Sequence, residues 1–300
     1  MTTPRIVAGR YEVLREIARG GMAIVYEAIH VVSRRRVALK VLFTASFADD
    51  MSRARFLREV SAPARIGHRG IVEVFDAGFD DGDGAPFVAM ELLEGHTLRR
   101  EFDRGPRALE RTLTLFQGIL APMAAAHAVS IVHRDLKPEN VFVTQSNGVE
   151  LVKVLDFGLA RTVDERAEKE TRTGVAMGTP HYMAPEQAVS ARDVTPAADV
   201  WALGVMLYEA ISGRTPFTGP TPSAIVVEAV TQPHVPLNHL LPQTPPALVA
   251  LVDGCLQKEP TRRPPNAAAL LAEVAQLQAS PGASGQPSLA QPALARSVPP

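Results

Sequence analysis

The hydrophobic pattern turns near Gly95 from mainly strand-like to mainly helical, and that change restricts the chain to folds that place a sheet-based part ahead of a helix-based part. Before Gly95, short apolar runs are separated by turn chemistry. Residues 11–17 and 23–28 flank the Gly20-Gly21 pair, 36–42 follows a basic run, and 71–77 and 86–92 flank the Asp- and Gly-rich stretch 80–84. Residues 51–66 read instead as a helix, with Phe56, Val60 and Ala64 on one face and Pro63 placed late enough to end or bend it. Beyond Gly95 the pattern predicts helices over 109–129, 200–212 (ended by Gly213), 224–231, 246–256 and 266–277, with short strands at 141–143 and 151–154. The expected class is α+β, with a small antiparallel sheet carrying one main helix and a larger, mainly helical second part. The divisions fall at 1–10 (a leader), 11–93, 94–278 and 279–300.

Two segments lack the pattern of a buried element. Residues 162–173 are rich in Arg, Glu, Lys and Thr and read as a mobile surface loop. Residues 279–300 hold five prolines and one charged residue, Arg296, and read as a disordered linker or tail.

Composition excludes several function classes. With 300 residues and 46% hydrophobic content the chain can bury a large core, in one domain or in two lobes that share it. Lys plus Arg (31) against Asp plus Glu (32) leaves a net charge of -1, with no footprint for nucleic acid and no general attraction to anionic membranes. A single cysteine, Cys255, excludes an internal disulfide and a thiolate zinc cluster, and it reads as a small core residue among Leu251, Val252 and Leu256. The eight histidines show no metal-ligand spacing. No apolar run reaches the ~20 residues that span a bilayer, and none near the start suits a signal peptide, so the chain is expected to be cytoplasmic with no membrane segment.

Five short strings carry chemistry, in a fixed order. The first is Ile17-Ala-Arg-Gly-Gly-Met-Ala-Ile-Val25, a glycine turn between two strands where backbone N–H groups can approach phosphates closely. Alone, it reads more readily as an ordinary hairpin than as a nucleotide loop. The second is Val37-Ala-Leu-Lys40; a lysine in an apolar strand needs a partner for its charge or must reach to the surface. The third and most specific is Ile131-Val-His-Arg-Asp-Leu-Lys-Pro-Glu-Asn140, which sets a carboxylate, an ammonium and an amide within ten residues. The fourth is Asp156-Phe-Gly158 after an apolar strand, where a carboxylate offers a hard oxygen ligand for magnesium. The fifth is Gly178-Thr-Pro-His-Tyr-Met-Ala-Pro-Glu186, followed by Asp199, Trp201 and Arg263 in the helical part. Each of these has a bland reading as a capping or surface group; the order is what makes them specific.

Over residues 11–278 this set resembles the eukaryotic-like (Hanks-type) serine/threonine protein kinase family, and most closely its bacterial, receptor-like members. The resemblance implies a bilobal kinase fold and transfer of the γ-phosphoryl group of ATP to protein Ser/Thr hydroxyls. It implies catalytic roles for Asp135, Lys137, Lys40 and Glu59, with Glu59 the helix partner of Lys40, and structural roles for His133 and Asp199 under the catalytic loop. The phosphates would lie against Ala18, Gly20 and Gly21. The adenine would lie between Val25, Ala38, Leu92 and Met90, with the Glu91 carbonyl and the Leu93 amide as hinge contacts. Asn140 and Asp156 would ligate Mg²⁺, and Mn²⁺ suits the same oxygen donors. Thr179 would face the substrate groove, Glu186 would pair with Arg263, and Thr171 and Thr173 would be autophosphorylation sites near Arg134.

The chain departs from the family pattern at Ala18 and Ala23, where glycines are usual, which bears on ATP affinity rather than on the fold. The resemblance also raises homodimerisation through the N-lobe. In bacterial members a proline-rich stretch like 279–300 can begin a linker to a membrane helix. The rival readings are a kinase-like scaffold without catalysis and a kinase of small molecules; the survival of Lys40, Asp135 and Asp156 weighs against the first, and the Ala184-Pro-Glu186 string against the second.

Overall fold

The strand that carries Lys40 is apolar on both faces, which only a central strand covered on two sides can satisfy. The computed structural model describes residues 5–43, 49–146, 148–157, 180–189 and 194–279. Within them β1 (Ile6–Val7), β2 (Tyr11–Arg19), β3 (Ala23–His30), β4 (Arg36–Leu42), β5 (Val74–Phe79) and β6 (Pro86–Glu91) form an antiparallel sheet of order β1-β2-β3-β4-β6-β5. On one face Tyr11, Tyr26, Val37, Leu39, Val41 and Phe87 close a cluster of their own. On the other, Ala38, Leu42, Val88 and Met90 pack with Phe56 and Val60 of α1 (Asp50–Val60). Part of the expected leader belongs to this sheet: Ile6 and Val7 pair with Glu12 and Tyr11, and Val7 is fully buried.

The helix expected over 51–66 is two helices, α1 and α2 (Ala62–Ile66). Pro63 has no N–H to give to the Glu59 carbonyl; Ser61 N–H donates there instead, and the chain restarts with Pro63 in the first turn of α2. The strand expected from residue 71 begins later, because the preceding backbone is used elsewhere. Ile71 bridges Val154, Val72 N–H donates to the Val154 carbonyl (3.0 Å), and Val154 N–H donates to the Gly70 carbonyl (2.8 Å). These bonds stitch the sheet-based lobe to the helical one.

The second lobe opens with β7 (Gly95–Thr97), which pairs with β8 (Val141–Ser146) and through it with β9 (Val149–Val154). Gly95 is required there: its φ is +149°, and a Cβ would lie 2.0 Å from the Val143 carbonyl oxygen. The helices are α3 (Leu98–Phe102), α4 (Leu109–Ala128), α5 (Pro185–Val189), α6 (Pro196–Ser212), α7 (Pro222–Thr231), α8 (Leu237–Leu240), α9 (Pro246–Cys255) and α10 (Ala267–Ala279). Helix α6 starts at Pro196 rather than at 200, with proline in its first turn, and is buried from Ala197 to Ile211. Trp201 stacks on Phe217 with ring centroids 5.5 Å apart. Cys255 is fully buried, as expected of a core residue, and burial pushes its thiol up, keeping it protonated.

Candidate active site

The loop of residues 131–140 is held from below before any reactant is considered. Asp199, in the first turn of α6, accepts from His133 N–H (2.8 Å, Oδ2) and from Arg134 N–H (2.9 Å, Oδ1). Those two bonds fix the backbone immediately before Asp135, with Arg134 at φ +71°. The fully buried His133 ring supports the loop sideways. Its Nδ1 faces Asp135 N–H (3.3 Å), its Nε2 faces the Leu155 carbonyl (2.8 Å), and the ring packs on Phe157 at 4.7 Å. An imidazole with the proton on Nε2 satisfies both contacts. The loop of Asp135 and the strand end that carries Asp156 are thereby joined through one side chain.

Above this support the polar groups converge. Lys137 Nζ lies 2.7 Å from Asp135 Oδ2. Asn140 Nδ2 donates to the Asp135 carbonyl (2.8 Å) and lies 3.2 Å from Asp135 Oδ2. Asn140 and Asp156 are brought together by register: Val141 faces Val154, and Leu155 N–H donates to the Asn140 carbonyl at 2.8 Å. Lys40 Nζ reaches across from β4 to Asp156 Oδ2 at 2.7 Å.

Burial works against ionisation of Asp156, but the adjacent Lys40 ammonium, with smaller help from His133 and Lys137, holds its carboxyl below the usual carboxylate range. Among the described residues the ion pair of Lys40 is with Asp156; the expected pairing with Glu59, a half-buried residue of α1, is not among them.

Several of the remaining expected residues lie in the sheet-based lobe. Val25, Leu92 and Leu155 pack against the cluster that contains Ala38 and Met90, forming one apolar wall. The β3–β4 register sets Val25 opposite Lys40, so both lie on the same face of the sheet. Gly20 N–H donates to the Ala23 carbonyl (2.9 Å) and closes the β2–β3 turn, in which Ala18 stands opposite Val25. The turn does not demand glycine: neither Gly20 nor Gly21 has positive φ, and a Cβ on Gly21 would meet nothing within 4 Å. What glycine leaves there is open space beside backbone N–H groups, which suits phosphate.

For a divalent cation, one carboxylate (Asp156) and one amide (Asn140) form a sparse, all-oxygen set. That suits Mg²⁺, which keeps water and takes phosphate oxygens for its other positions. Glu186 pairs with Arg263 through two bonds of 2.7 and 2.8 Å, as the sequence led us to expect. Thr171, Thr173, Thr179 and Gly158 lie outside the described residues.

A protein kinase domain model matches residues 11–274. The chain belongs to the protein kinase family. This kinase domain is 37% identical over 282 residues to the serine/threonine-protein kinase PksC of Streptomyces coelicolor, a match covering 92% of this chain and 50% of that protein. It is 38% identical to the serine/threonine-protein kinase pkn2 of Myxococcus xanthus, over 87% of this chain and 32% of that one. The chain thus spans half or less of the length of these relatives. Among solved structures, the Mycobacterium tuberculosis PknI kinase domain superposes with a TM-score of 0.71 at 28% identity, covering 92% of this chain and 99% of that one.

Two features of the kinase domain escaped sequence reasoning. His127, near the end of α4, faces Asp199 Oδ2 through Nε2 (3.0 Å) and accepts from Ala267 N–H through Nδ1 (3.0 Å), so α10 also braces the catalytic loop. Its local spacing gives no signal, since its partners lie 72 and 140 residues away. The second is a cluster of Arg99, Tyr182 and Glu209. Arg99 donates to Tyr182 (3.0 Å) and Glu209 (2.8 Å), and the Tyr182 hydroxyl donates to Glu209 (2.5 Å), tying α3 and α6 to the turn before α5.

Proposed function

We propose that this domain transfers the γ-phosphoryl group of ATP to serine or threonine hydroxyls of protein substrates. The observation that carries the reading is the convergence of Asp135, Lys137 and Asn140 next to the Lys40–Asp156 pair. Asp135 takes the role of accepting or orienting the proton of the incoming hydroxyl. Lys137, already 2.7 Å from Asp135, offsets charge on the transferring group. Lys40 binds phosphate oxygens, with Glu59 as its helix partner when nucleotide draws it from Asp156.

Asn140 and Asp156 hold Mg²⁺, or Mn²⁺, which when bound neutralises charge on the phosphates. Ala18, Gly20 and Gly21 cover those phosphates. Val25, Ala38, Met90 and Leu92 enclose the adenine, with the Glu91 carbonyl and Leu93 N–H at its edge, and Thr179 lies beside the substrate hydroxyl. Regulation is by autophosphorylation at Thr171 or Thr173, where phosphate charge would pair with Arg134. The domain works in the cytoplasm, and dimerisation through the N-lobe is compatible with this reading.

Purified protein with γ-labelled ATP and Mg²⁺ tests it. Wild type should label itself and a basic protein substrate, on Ser or Thr only. Asp135→Asn should lower the rate about a hundred-fold or more while leaving ATP affinity and the melting temperature nearly unchanged. Near-normal turnover in that variant, or ATP binding with no transfer in the wild type under any condition, would sink the catalytic assignment.

A further inference from the structure

The hinge carries a carboxylate that faces away from the cleft. In the β4–β6 register, cleft-lining Ala38 and Lys40 stand opposite Met90 and Val88, whereas Glu91 stands opposite Val37. Strand alternation therefore turns the Glu91 side chain to the back of the hinge. There Glu91 Oε1 accepts from Glu73 N–H at 2.8 Å and from Lys153 Nζ. The Glu91 N–H in turn donates to the Glu73 carbonyl at 2.9 Å. Lys153 also donates to the Ile71 carbonyl at 3.4 Å. Both side chains are largely covered, 12% exposed for Lys153 and 22% for Glu91. They line a groove of about 1070 Å³ with Glu73, Leu93 and Glu94, a groove whose lining includes neither Lys40 nor Asp156.

We propose that Lys153 is a positioning residue for the nucleotide. It touches none of the groups assigned to ATP, but it holds the one hinge residue whose carbonyl is assigned to the adenine. With its carboxylate gripped by Lys153 and Glu73, and its N–H committed to Glu73, the Glu91 Cα is held from two sides, which fixes where its carbonyl starts. The bond is charge-assisted and mostly shielded from water, so it is stronger than an exposed pair. Lys153 also sits on β9, in the strand that leads directly to Asp156. The same contact thus fixes the adenine end of the site relative to the metal end. This inference rests on the nucleotide reading given under Proposed function.

Calorimetric titration of ATP with Mg²⁺ into the full chain, with steady-state kinetics, separates the cases. Lys153→Met keeps the bulk and removes the charge. It should raise both Kd and KM for ATP about five-fold and change kcat by less than about two-fold. Lys153→Arg should restore most of the affinity. Hydrogen exchange at the Glu73 amide should quicken in Lys153→Met and return in Lys153→Arg. A purely structural residue would lower the melting temperature without this split between KM and kcat.

Unchanged Kd in a folded Lys153→Met protein overturns the inference while leaving the kinase reading intact. A raised kcat with unchanged Kd does the same, because the contact would then restrain lobe movement. Should Lys153→Met fail to fold, Lys153→Gln carries the same test, since it keeps a polar side chain and removes the charge. A wild type that binds no ATP overturns the nucleotide reading and this inference with it.

Discussion

Asp156 is held between two opposed effects, and its chemistry depends on which prevails. Burial alone favours the neutral carboxyl; Lys40 at 2.7 Å outweighs it and favours the charged form. Since its folded-state pKa is depressed, the stability that Asp156 adds is fully present above the ordinary carboxylate range. It fades as pH falls through the depressed folded value. Removing Lys40 leaves burial opposed only by the smaller effects of His133 and Lys137, so in Lys40→Met the carboxyl should titrate higher than in the wild type. Carbon NMR of labelled aspartate, wild type against variant, reads this directly; an unmoved Asp156 resonance would show that Lys40 is not what keeps it ionised. Among single residues, Asp135 and Asp156 were legible from their neighbours in sequence. The contact between Lys40 and Asp156 was not, because nothing in either local string states which charge the lysine meets.

At the scale of elements, two contacts decide where the site sits. Helix α4 approaches β9 so closely that a Cβ on Gly118 would lie 2.7 Å from Val152 Cγ2. Gly118→Ala should therefore cost about 1–3 kcal/mol from overpacking, against a gain of about 1 kcal/mol in helix propensity. Val152→Ala in the same chain should relieve part of the loss, as denaturant melts would show. The second contact is the Glu186–Arg263 pair, whose guanidinium is fully shielded and whose carboxylate is 21% exposed. Arg263→Ala strands Glu186 and should cost about 3 kcal/mol of stability; a loss below about 1 kcal/mol would mean the pair is not anchoring α5. Periodicity found most of these elements, since one buried face imposes the spacing. It overran at 51–66, where Pro63 divides the helix, and started α6 late, although Pro196 marks its first turn. It passed over β7 and α3, too short to show a period.

For the whole molecule, the backbone links between the two lobes among the described residues are few, at Gly70–Val72 with Val154 and at the hinge. A ligand that contacts both lobes should therefore stabilise the whole chain by mass action. ATP with Mg²⁺ at a hundred times its Kd should add about 2.7 kcal/mol, seen as a raised melting temperature. Asp156→Asn should lose the part of that shift that depends on Mg²⁺, whereas a shift independent of Mg²⁺ in both proteins would remove Asp156 from the metal site. Phosphopeptide mapping of active protein should find Thr171 or Thr173 modified; finding neither would remove autophosphorylation there from the proposal.

The sequence by itself determined the order of most elements, the string 131–140 as the candidate site, and the residue types proposed to hold phosphate and metal. Those are local properties: a strand, a helix or a ten-residue loop is written in adjacent residues because its backbone bonds close over short distances. Only the tertiary structure decided that Lys40 meets Asp156, that His127 and α10 brace the loop through Asp199, and that Lys153 holds Glu91 from behind. In each of these pairs the partners are 62 or more residues apart. Which charges meet at that range is set by how the faces of separate elements pack, and no spacing along the chain encodes it.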